Sequence, residues 1–183
     1  VYQTIFSSTV ATSTAVASVV FFGLVNPKIG IFGQVDFIDL SRSESALRGV
    51  ALTSIWQNIG LSFGLVLAAL QAVPEELDEA AILDGYGPWR RLRRVTSPLI
   101  SPTLAFLTVV LVVLGVQAFA PMEILTQGGP AQSTETLVYK IFNRQDPGSL
   151  SDGAAMSLGL FGLTFIVVMI QLTLLNRKVH YGD

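Results

Sequence analysis

The chain has 183 residues, and charged residues make up 13% of them, about half the share found in soluble domains. The charges are unevenly placed, because none falls in four long stretches: Val1–Pro27, Gly49–Pro74, Val95–Met122 and Gly153–Asn176. A bilayer core about 30 Å thick is crossed by roughly 20 apolar helical residues, so each stretch is long enough to span it. This distribution excludes an ordinary soluble domain, a disordered chain and a nucleic-acid-binding protein.

The apolar stretches predict an all-α fold, a polytopic bundle of transmembrane helices. Helices are favoured over a barrel because a barrel needs many strands that alternate apolar and polar residues. The predicted spans are Gln3–Val25, Ala51–Val73, Leu99–Phe119 and Ala154–Leu175. The chain begins at Val1 without a methionine and is apolar from Ile5, so we expect an incomplete membrane domain with further helices upstream.

The middle link between spans, residues 74–98, concentrates positive charge. Four arginines lie there within five positions, at Arg90, Arg91, Arg93 and Arg94. With four spans, this link and the C-terminal tail share one side of the membrane, and the positive-inside rule places that side in the cytoplasm. The links 26–50 and 120–153 are then extracytoplasmic.

Several polar side chains interrupt the predicted spans. Such groups either bond to helix carbonyls and neighbouring helices or line a polar path through the bundle. Both interpretations stay open, and the candidates for a substrate path are Thr12, Ser13, Gln57, Asn58, Gln117 and Glu123. Gly60 and Gly64 form a GxxxG pattern, which is typical of close helix packing.

The middle link predicts two short helices. The first follows Pro74, carries acidic residues early and ends at Gly85, which suits the left-handed position after a helix. The second, Trp89–Val95, places Trp89 and Leu92 among the arginines. We expect this second helix at the membrane interface, with its apolar side chains toward lipid and its arginines toward water or phospholipid phosphates.

The spacing in this link is more particular than that of a generic basic loop. Glu79-Ala80-Ala81 is followed by three residues and Gly85, then by nine residues and Val95-Thr96-Ser97-Pro98. The pattern resembles the EAA loop of binding-protein-dependent ABC importer permeases, whose last part is Ile-x-Leu-Pro, so that Ser97 is a departure. Further similarity to carbohydrate-uptake permeases of the maltose-permease type lies in the segments Leu70–Leu77, Leu125–Pro130 and Thr134–Tyr139. The tail, Val179–Tyr181, is most similar to glycerol-3-phosphate permeases.

The resemblance implies a transport subunit of the cell membrane, not an enzyme, that is part of a six-helix-type permease core. Its partners would be a second permease subunit, two cytoplasmic ATPase subunits, an extracytoplasmic solute-binding protein and the lipid bilayer. ATP and Mg²⁺ would bind the ATPase subunits, and this chain would hold no cofactor or metal. The implied substrate is a sugar or a glycerol-3-phosphate-like solute, and the implied contacts with the ATPase are Glu79, Ala80, Ala81, Asp84 and Gly85.

The outer link 120–153 contains a turn signal, Gly128-Gly129-Pro130. Thr134 could then cap a helix whose apolar face packs over the bundle, lines the substrate path or docks the binding protein. The alternative functions are a secondary transporter and a membrane scaffold without a transport path. The former requires an ionisable residue at mid-membrane depth, which no predicted span contains. No G-x-x-x-x-G-K-[ST] motif, no cysteine and only one histidine occur, so we expect neither ATP binding nor catalysis in this chain.

Overall fold

The computed structural model describes residues 6, 8–33, 35–144, 146 and 148–176, and this part of the chain contains helices and turns without strands. The predicted all-α fold is therefore confirmed. The helices are α1 (Thr14–Val25), α2 (Ser43–Gln71), α3 (Glu75–Leu83), α4 (Pro88–Val116), α5 (Ala120–Leu125), α6 (Leu137–Phe142) and α7 (Leu150–Asn176), with a 3-10 turn at Asp36–Ile38. The tail Val179–Tyr181 lies outside the described residues.

Three helices are long and apolar enough to cross a membrane, namely α2, α4 and the segment Leu150–Leu175 of α7. The first predicted span is different. Its helix α1 has 12 residues, which corresponds to about 18 Å and is shorter than a bilayer core. Residues 8–11 form turns before it, and the Ser13 side chain accepts a hydrogen bond from the Val16 N–H at 3.3 Å. The expected uninterrupted span is wrong for the described residues, because Ser13 acts as a helix cap.

The long helices extend beyond the predicted spans. Helix α2 begins at Ser43 instead of Ala51, and α7 begins at Leu150 instead of Ala154. Sequence reasoning stopped each span at the nearest charged residue, but a helix can continue past the bilayer into water. The link between α1 and α2 is correspondingly shorter than the predicted range 26–50.

Helix α4 merges two elements that the sequence predicted separately. The segments Pro88–Arg91, Leu92–Thr96 and Ser97–Val116 follow each other without a break, the middle one being a π-helical turn. In that turn the Ser97 N–H donates to the Leu92 carbonyl. The Ser101 Oγ donates to the Pro98 carbonyl at 2.7 Å, in place of the N–H that Pro102 lacks. These substitutes allow a helix to pass two prolines.

The buried apolar cluster lies at the end of the bundle away from α3. It joins the end of α1, the 3-10 turn, the start of α2, α5 and α6, through Val25, Ile38, Leu40, Val50, Met122, Leu125 and Tyr139. The long helices bury few residues within the described part of the chain, and α7 buries none over its most apolar 18-residue stretch. Lipid and other membrane helices cover such surfaces in a bilayer.

Many hydroxyl groups of the apolar helices bond to their own backbone. Ser18, Thr108 and Thr164 each donate to the carbonyl four residues earlier, at 2.7 to 2.8 Å. For Ser18, which lies in the first predicted span, the predicted back-bonding is confirmed. Gly60 lies where Phe6 and Thr9 approach α2, and a Cβ there would overlap the Thr9 hydroxyl and the Phe6 carbonyl. Gly64 has no such neighbour, since a Cβ there would meet nothing within 4 Å.

Candidate coupling loop and polar cleft

Helix α3 is an acidic helix between two membrane-length helices. It follows Pro74, and Glu75, Glu76 and Asp78 occupy its first turn. Negative side chains at this position interact favourably with the positive end of the helix dipole. The predicted first helix of the link is therefore present where the sequence placed it.

Gly85 ends α3 in the conformation that the sequence predicted. Its φ is +75°, its N–H donates to the Ile82 carbonyl at 2.9 Å, and the Tyr86 N–H donates to the Ala81 carbonyl at 2.9 Å. These two bonds form a Schellman motif. A residue with a Cβ at this position would be strained, because the left-handed region disfavours side chains.

The exposed end of α3 is partly apolar. Ile82 is 54% exposed and Leu83 is 88% exposed, next to the exposed residues Glu79, Ala80 and Asp84. Apolar side chains left open beside charged ones are typical of a surface that docks another protein. Ala81 is 5% exposed, so of the two alanines in the motif only Ala80 is open to a partner.

Ile82 and Leu83 were not among the predicted contacts with the ATPase. The signal that could have predicted them is the occurrence of two adjacent apolar residues at the end of a short, otherwise acidic helix between two predicted spans.

The arginines at the start of α4 have different surroundings. Arg91 Nε lies 2.8 Å from Asp78 Oδ1. The Arg90 guanidinium lies 4.4 Å from the centre of the Tyr86 ring, within the range of cation–π attraction. Arg93 and Arg94 are exposed, as is Trp89 at 76%. This exposure is compatible with the predicted interface role of Trp89 and the arginines, which stays a prediction.

A cleft of about 750 Å³ opens between α2 and the junction of α4 with α5. Its apolar walls include Ile55, Ile59 and Leu111. Its polar lining consists of Thr14, Ser54, Gln57, Asn58, Ser62 and Gln117, and none of its described lining residues is charged. Amides and hydroxyls in an otherwise apolar cleft can donate to and accept from a hydroxyl-bearing solute.

The polar groups of the cleft differ in their availability. Gln57 Nε2 donates to Thr14 Oγ1 at 2.9 Å and approaches the Thr12 carbonyl at 3.4 Å. Asn58 Nδ2 donates to the Ser54 carbonyl, and Ser62 Oγ donates to the Asn58 carbonyl, both at 2.8 Å. The predicted bonding of intramembrane amides to other helices is thus confirmed for Gln57. The Gln117 side chain makes no hydrogen bond to a described residue.

Of the predicted path residues, the structure brings Gln57, Asn58 and Gln117 together in the cleft. Thr12 and Ser13 lie at the cap of α1, and Glu123 is half-buried in α5; none of these three is among the lining residues. Ser54 and Ser62 also line the cleft but were not among the predicted path residues, whereas Thr14 belongs to the hydroxyl-rich run of the first predicted span. The four-residue spacing of Ser54, Asn58 and Ser62 was a usable signal, because it places all three on one helix face.

Residues 2–181 match the family described as "Binding-protein-dependent transport system inner membrane component". The chain belongs to this family. The resemblance drawn from the motifs is therefore confirmed at the level of the family, and with the three membrane-length helices it makes the chain a multi-pass inner membrane component.

Two relatives of this family member are sn-glycerol-3-phosphate transport system permease proteins UgpA. The protein of Yersinia enterocolitica is 39% identical over 189 residues, which cover 99% of this chain and 64% of the relative. The protein of Salmonella typhimurium is also 39% identical over 189 residues, covering 98% of this chain and 64% of the relative. The chain thus spans about 64% of the length of the curated relatives it matches.

The fold of this family member is shared with two crystal structures. One is a bacterial ABC transporter involved in the import of the acidic polysaccharide alginate, with a TM-score of 0.81 and 22% identity over 98% of this chain and 66% of that chain. The other is a bacterial alginate ABC transporter in complex with an alginate pentasaccharide-bound periplasmic protein. It has a TM-score of 0.82 and 21% identity over 100% of this chain and 66% of that chain.

The link between α4 and α7 of this family member contains a tightly bonded turn. Thr126 Oγ1 and Thr134 Oγ1 lie 2.7 Å apart, and Thr134 Oγ1 donates to the Gly129 carbonyl at 2.9 Å. Helix α6 is capped instead by Thr136, whose hydroxyl accepts from the Tyr139 N–H at 3.2 Å. The expectation that Thr134 caps this helix is wrong, because its hydroxyl is already engaged within the turn.

Proposed function

We propose that this chain is the membrane-spanning part of a permease subunit of an ABC importer. It forms part of the substrate path and receives motion from a separate ATPase through the link 74–98. The observation that carries the proposal is the exposed end of α3, where Ile82 and Leu83 project beside acidic residues between two membrane-length helices. A partner that moves this end acts directly on α2 and α4. Family membership supports this assignment.

The proposed assembly contains a second permease subunit, two ATPase subunits and a solute-binding protein. In this proposal ATP and Mg²⁺ bind the ATPase subunits. Closure of the ATPases draws α3 and the corresponding helix of the second permease subunit together, so that the helix bundle switches between two states. The family description, which names a binding protein, supports that partner. The alginate transporter that was solved with a periplasmic protein supports it as well.

We place the link 74–98 and the C-terminus in the cytoplasm. The four arginines that begin α4 support this orientation, because positive charge next to a span favours the cytoplasmic side. Arg93 and Arg94 then reach phospholipid phosphates, and Trp89 lies at the interface.

Within the link, the exposed residues have separate roles in the proposal. Glu79 pairs with a basic residue of the ATPase, Ala80 allows close approach, and Gly85 provides the turn that presents Ile82 and Leu83. Asp84, which follows the helix directly, adds a second negative charge at the contact. All six of these residues are exposed.

The proposed substrate is a polyhydroxylated solute, either sn-glycerol-3-phosphate or a sugar. The relatives named as glycerol-3-phosphate permeases support this class, and so does the cleft with its amides and hydroxyls. Because no charged residue is among the described lining residues, a phosphate group would be neutralised by another part of the complex. In this proposal Gln57, Asn58 and Gln117 belong to the path.

Reconstitution of the complete transporter in proteoliposomes tests the proposal. Labelled sn-glycerol-3-phosphate, maltose and glycerol serve as probes, and we expect uptake of at least one that requires both ATP and the binding protein. Glu79→Lys and Gly85→Asp should abolish uptake while the subunit still inserts. Gly87→Asp is the control, because Gly87 has ordinary φ and open space around its Cβ position. Undiminished uptake by Glu79→Lys and Gly85→Asp would exclude the coupling role.

A further inference from the structure

The chain that joins α3 to α4 is short and permissive. It consists of Asp84, Gly85, Tyr86 and Gly87, and glycine allows a wide range of backbone conformations. The Schellman bonds at Gly85 end α3 but do not fix its angle to α4. A contact across the turn is therefore needed if the two helices are to move as one body.

An ion pair makes that contact. Arg91 Nε on α4 lies 2.8 Å from Asp78 Oδ1 on α3, and these side chains are 28% and 42% exposed. The other acids of this link, Glu75, Glu76, Glu79 and Asp84, make no ion pair with a described residue. The pair is thus specific to one position of α3, one turn before the exposed end.

The packing of α3 against α4 also supports a contact that holds the two helices together. Helix α3 contacts both the Pro88–Arg91 segment and the π-helical turn Leu92–Thr96. Ala81, three residues after Asp78, is buried, while Ile82 and Leu83 are open. One side of α3 therefore rests on α4, and the other side is left for a partner.

We infer that Asp78 and Arg91 are positioning residues that hold α3 on the base of α4, so that a displacement of α3 is passed to the membrane helix. The inference rests on the proposed coupling function. In the intact pair, the charge-assisted bond keeps α3 at one angle to α4. Without it, α3 tilts about the turn at residues 84–87, and part of the motion delivered by the ATPase is lost there.

A distance measurement tests the positioning independently of transport. The chain contains no cysteine, so spin labels can be attached at Leu77→Cys and Leu104→Cys, two exposed positions on α3 and α4 outside the proposed ATPase contact. Labels are introduced into the complete transporter, and pulsed electron paramagnetic resonance reports the distance distribution between them. We expect Asp78→Asn and Arg91→Gln to broaden it and Asp78→Glu to leave it narrow. Glu76→Gln is the matched control, since it removes one exposed acid of the same helix that has no ion pair.

Coupling is then measured as solute uptake per ATP hydrolysed, with sn-glycerol-3-phosphate as the probe. Asp78→Asn should lower this ratio about two- to fivefold, the factor expected for a partly exposed ion pair, while ATP hydrolysis and assembly persist. The double variant Asp78→Asn/Arg91→Gln should lose no more than either single variant, because both remove the same interaction. Glu76→Gln should keep the wild-type ratio.

Two results would overturn the inference: a distance distribution for Asp78→Asn as narrow as that of the wild type, or losses in the two single variants that add in the double variant. The first outcome leaves the coupling function intact, because it concerns only the angle between the helices. An absence of any ATP-dependent uptake by the wild-type complex would instead contradict the proposed function, while the distance measurement would still decide the positioning.

Discussion

Gln57 Nε2 donates a 2.9 Å hydrogen bond to Thr14 Oγ1, which joins the first residue of α1 to the middle of α2. Helix α1 is short, and the residues that begin it, Ser13 and Thr14, are exposed. The bond satisfies the Gln57 amide and ties α1 to α2. It also fixes one wall of the cleft, because both residues line it.

Thr14→Val should lower the free energy of unfolding by about 0.5–1.5 kcal/mol, because valine keeps the shape of threonine but cannot accept the bond. In a double-mutant cycle with Gln57→Leu, the two losses should not add. Unfolding in mixed detergent micelles measures both values. Thr108→Val is the control, since the Thr108 hydroxyl bonds only to its own helix. Strictly additive losses at Thr14 and Gln57 would contradict the tie.

The two glycines of the GxxxG pattern should respond differently to substitution. Gly60→Val should destabilise the subunit by about 1–3 kcal/mol, the range for overpacking, because its side chain would collide with Thr9 and the Phe6 carbonyl. Gly64→Val should be tolerated, since nothing in the described chain lies within 4 Å of a Cβ there. Thermal unfolding in detergent compares the two variants. Equal destabilisation by both would show that the close approach at Gly60 is absent.

The contacts that distinguish Gly60 from Gly64 could not be predicted from the sequence, and the same holds for some of the helix boundaries. Charge-free length predicted α2, α4 and α7, because a bilayer requires long apolar helices. The same criterion failed at α1, since Ser13 makes the helix begin only at Thr14, through a local hydrogen bond that hydropathy does not register. It also separated Trp89–Val95 from the third span, because the effect of Pro98 depends on whether a π-helical turn accommodates the bond that proline cannot make.

The candidate site, too, could be predicted from the sequence only in part. Gly85 was predictable because a single residue type suits the left-handed end of a helix. The contact between Asp78 and Arg91 was not, since the two residues lie on different helices and no periodicity relates them. The cleft could be predicted in part, because amides stand out in apolar segments. Ser54 and Ser62, in contrast, resemble ordinary small residues until their spacing is considered.

The backbone at Gly85 makes a specific prediction for a small substitution. Gly85→Ala should cost about 1–2 kcal/mol locally, because φ is +75° there and a Cβ disfavours that region. We therefore expect weaker binding of the ATPase and lower uptake. Gly87→Ala adds the same methyl group at a φ of −67° and should leave both unchanged. Co-purification of the ATPase with each variant measures the effect, and equal recovery with the two variants would contradict it.

The turn before α2 should make stability depend on pH. The Ser41 hydroxyl and the Ser41 N–H donate to Asp39 Oδ1 at 2.5 and 2.9 Å. These bonds, aided by the charge of Arg42, hold the pKa of Asp39 below its usual value of 3.8. A lowered carboxyl pKa contributes stability above the unfolded value, and this contribution is lost as the pH falls through the folded value.

Ser41→Ala removes the strongest of these contributions. At about pH 6 it should lower the free energy of unfolding by about 1 kcal/mol, and this difference from the wild type should shrink as the pH falls below about 4. Ser43→Ala, a neighbouring exposed serine at the start of α2, is the control. A loss in Ser41→Ala that stays constant over the whole pH range would contradict the role of the charged carboxylate.

The Gln117 amide lines the cleft without a hydrogen bond to a described residue. If this amide binds the solute, Gln117→Leu should raise the KM for uptake about two- to tenfold, the value of one hydrogen bond. Stability and insertion should be unchanged, because no bond within the described chain is lost. Gln71→Leu, at the exposed end of α2 and outside the cleft, is the control. Uptake measured over a range of sn-glycerol-3-phosphate concentrations separates KM from the maximal rate. An unchanged KM in Gln117→Leu would remove this amide from the path, whereas equal changes in both variants would indicate an effect unrelated to the cleft.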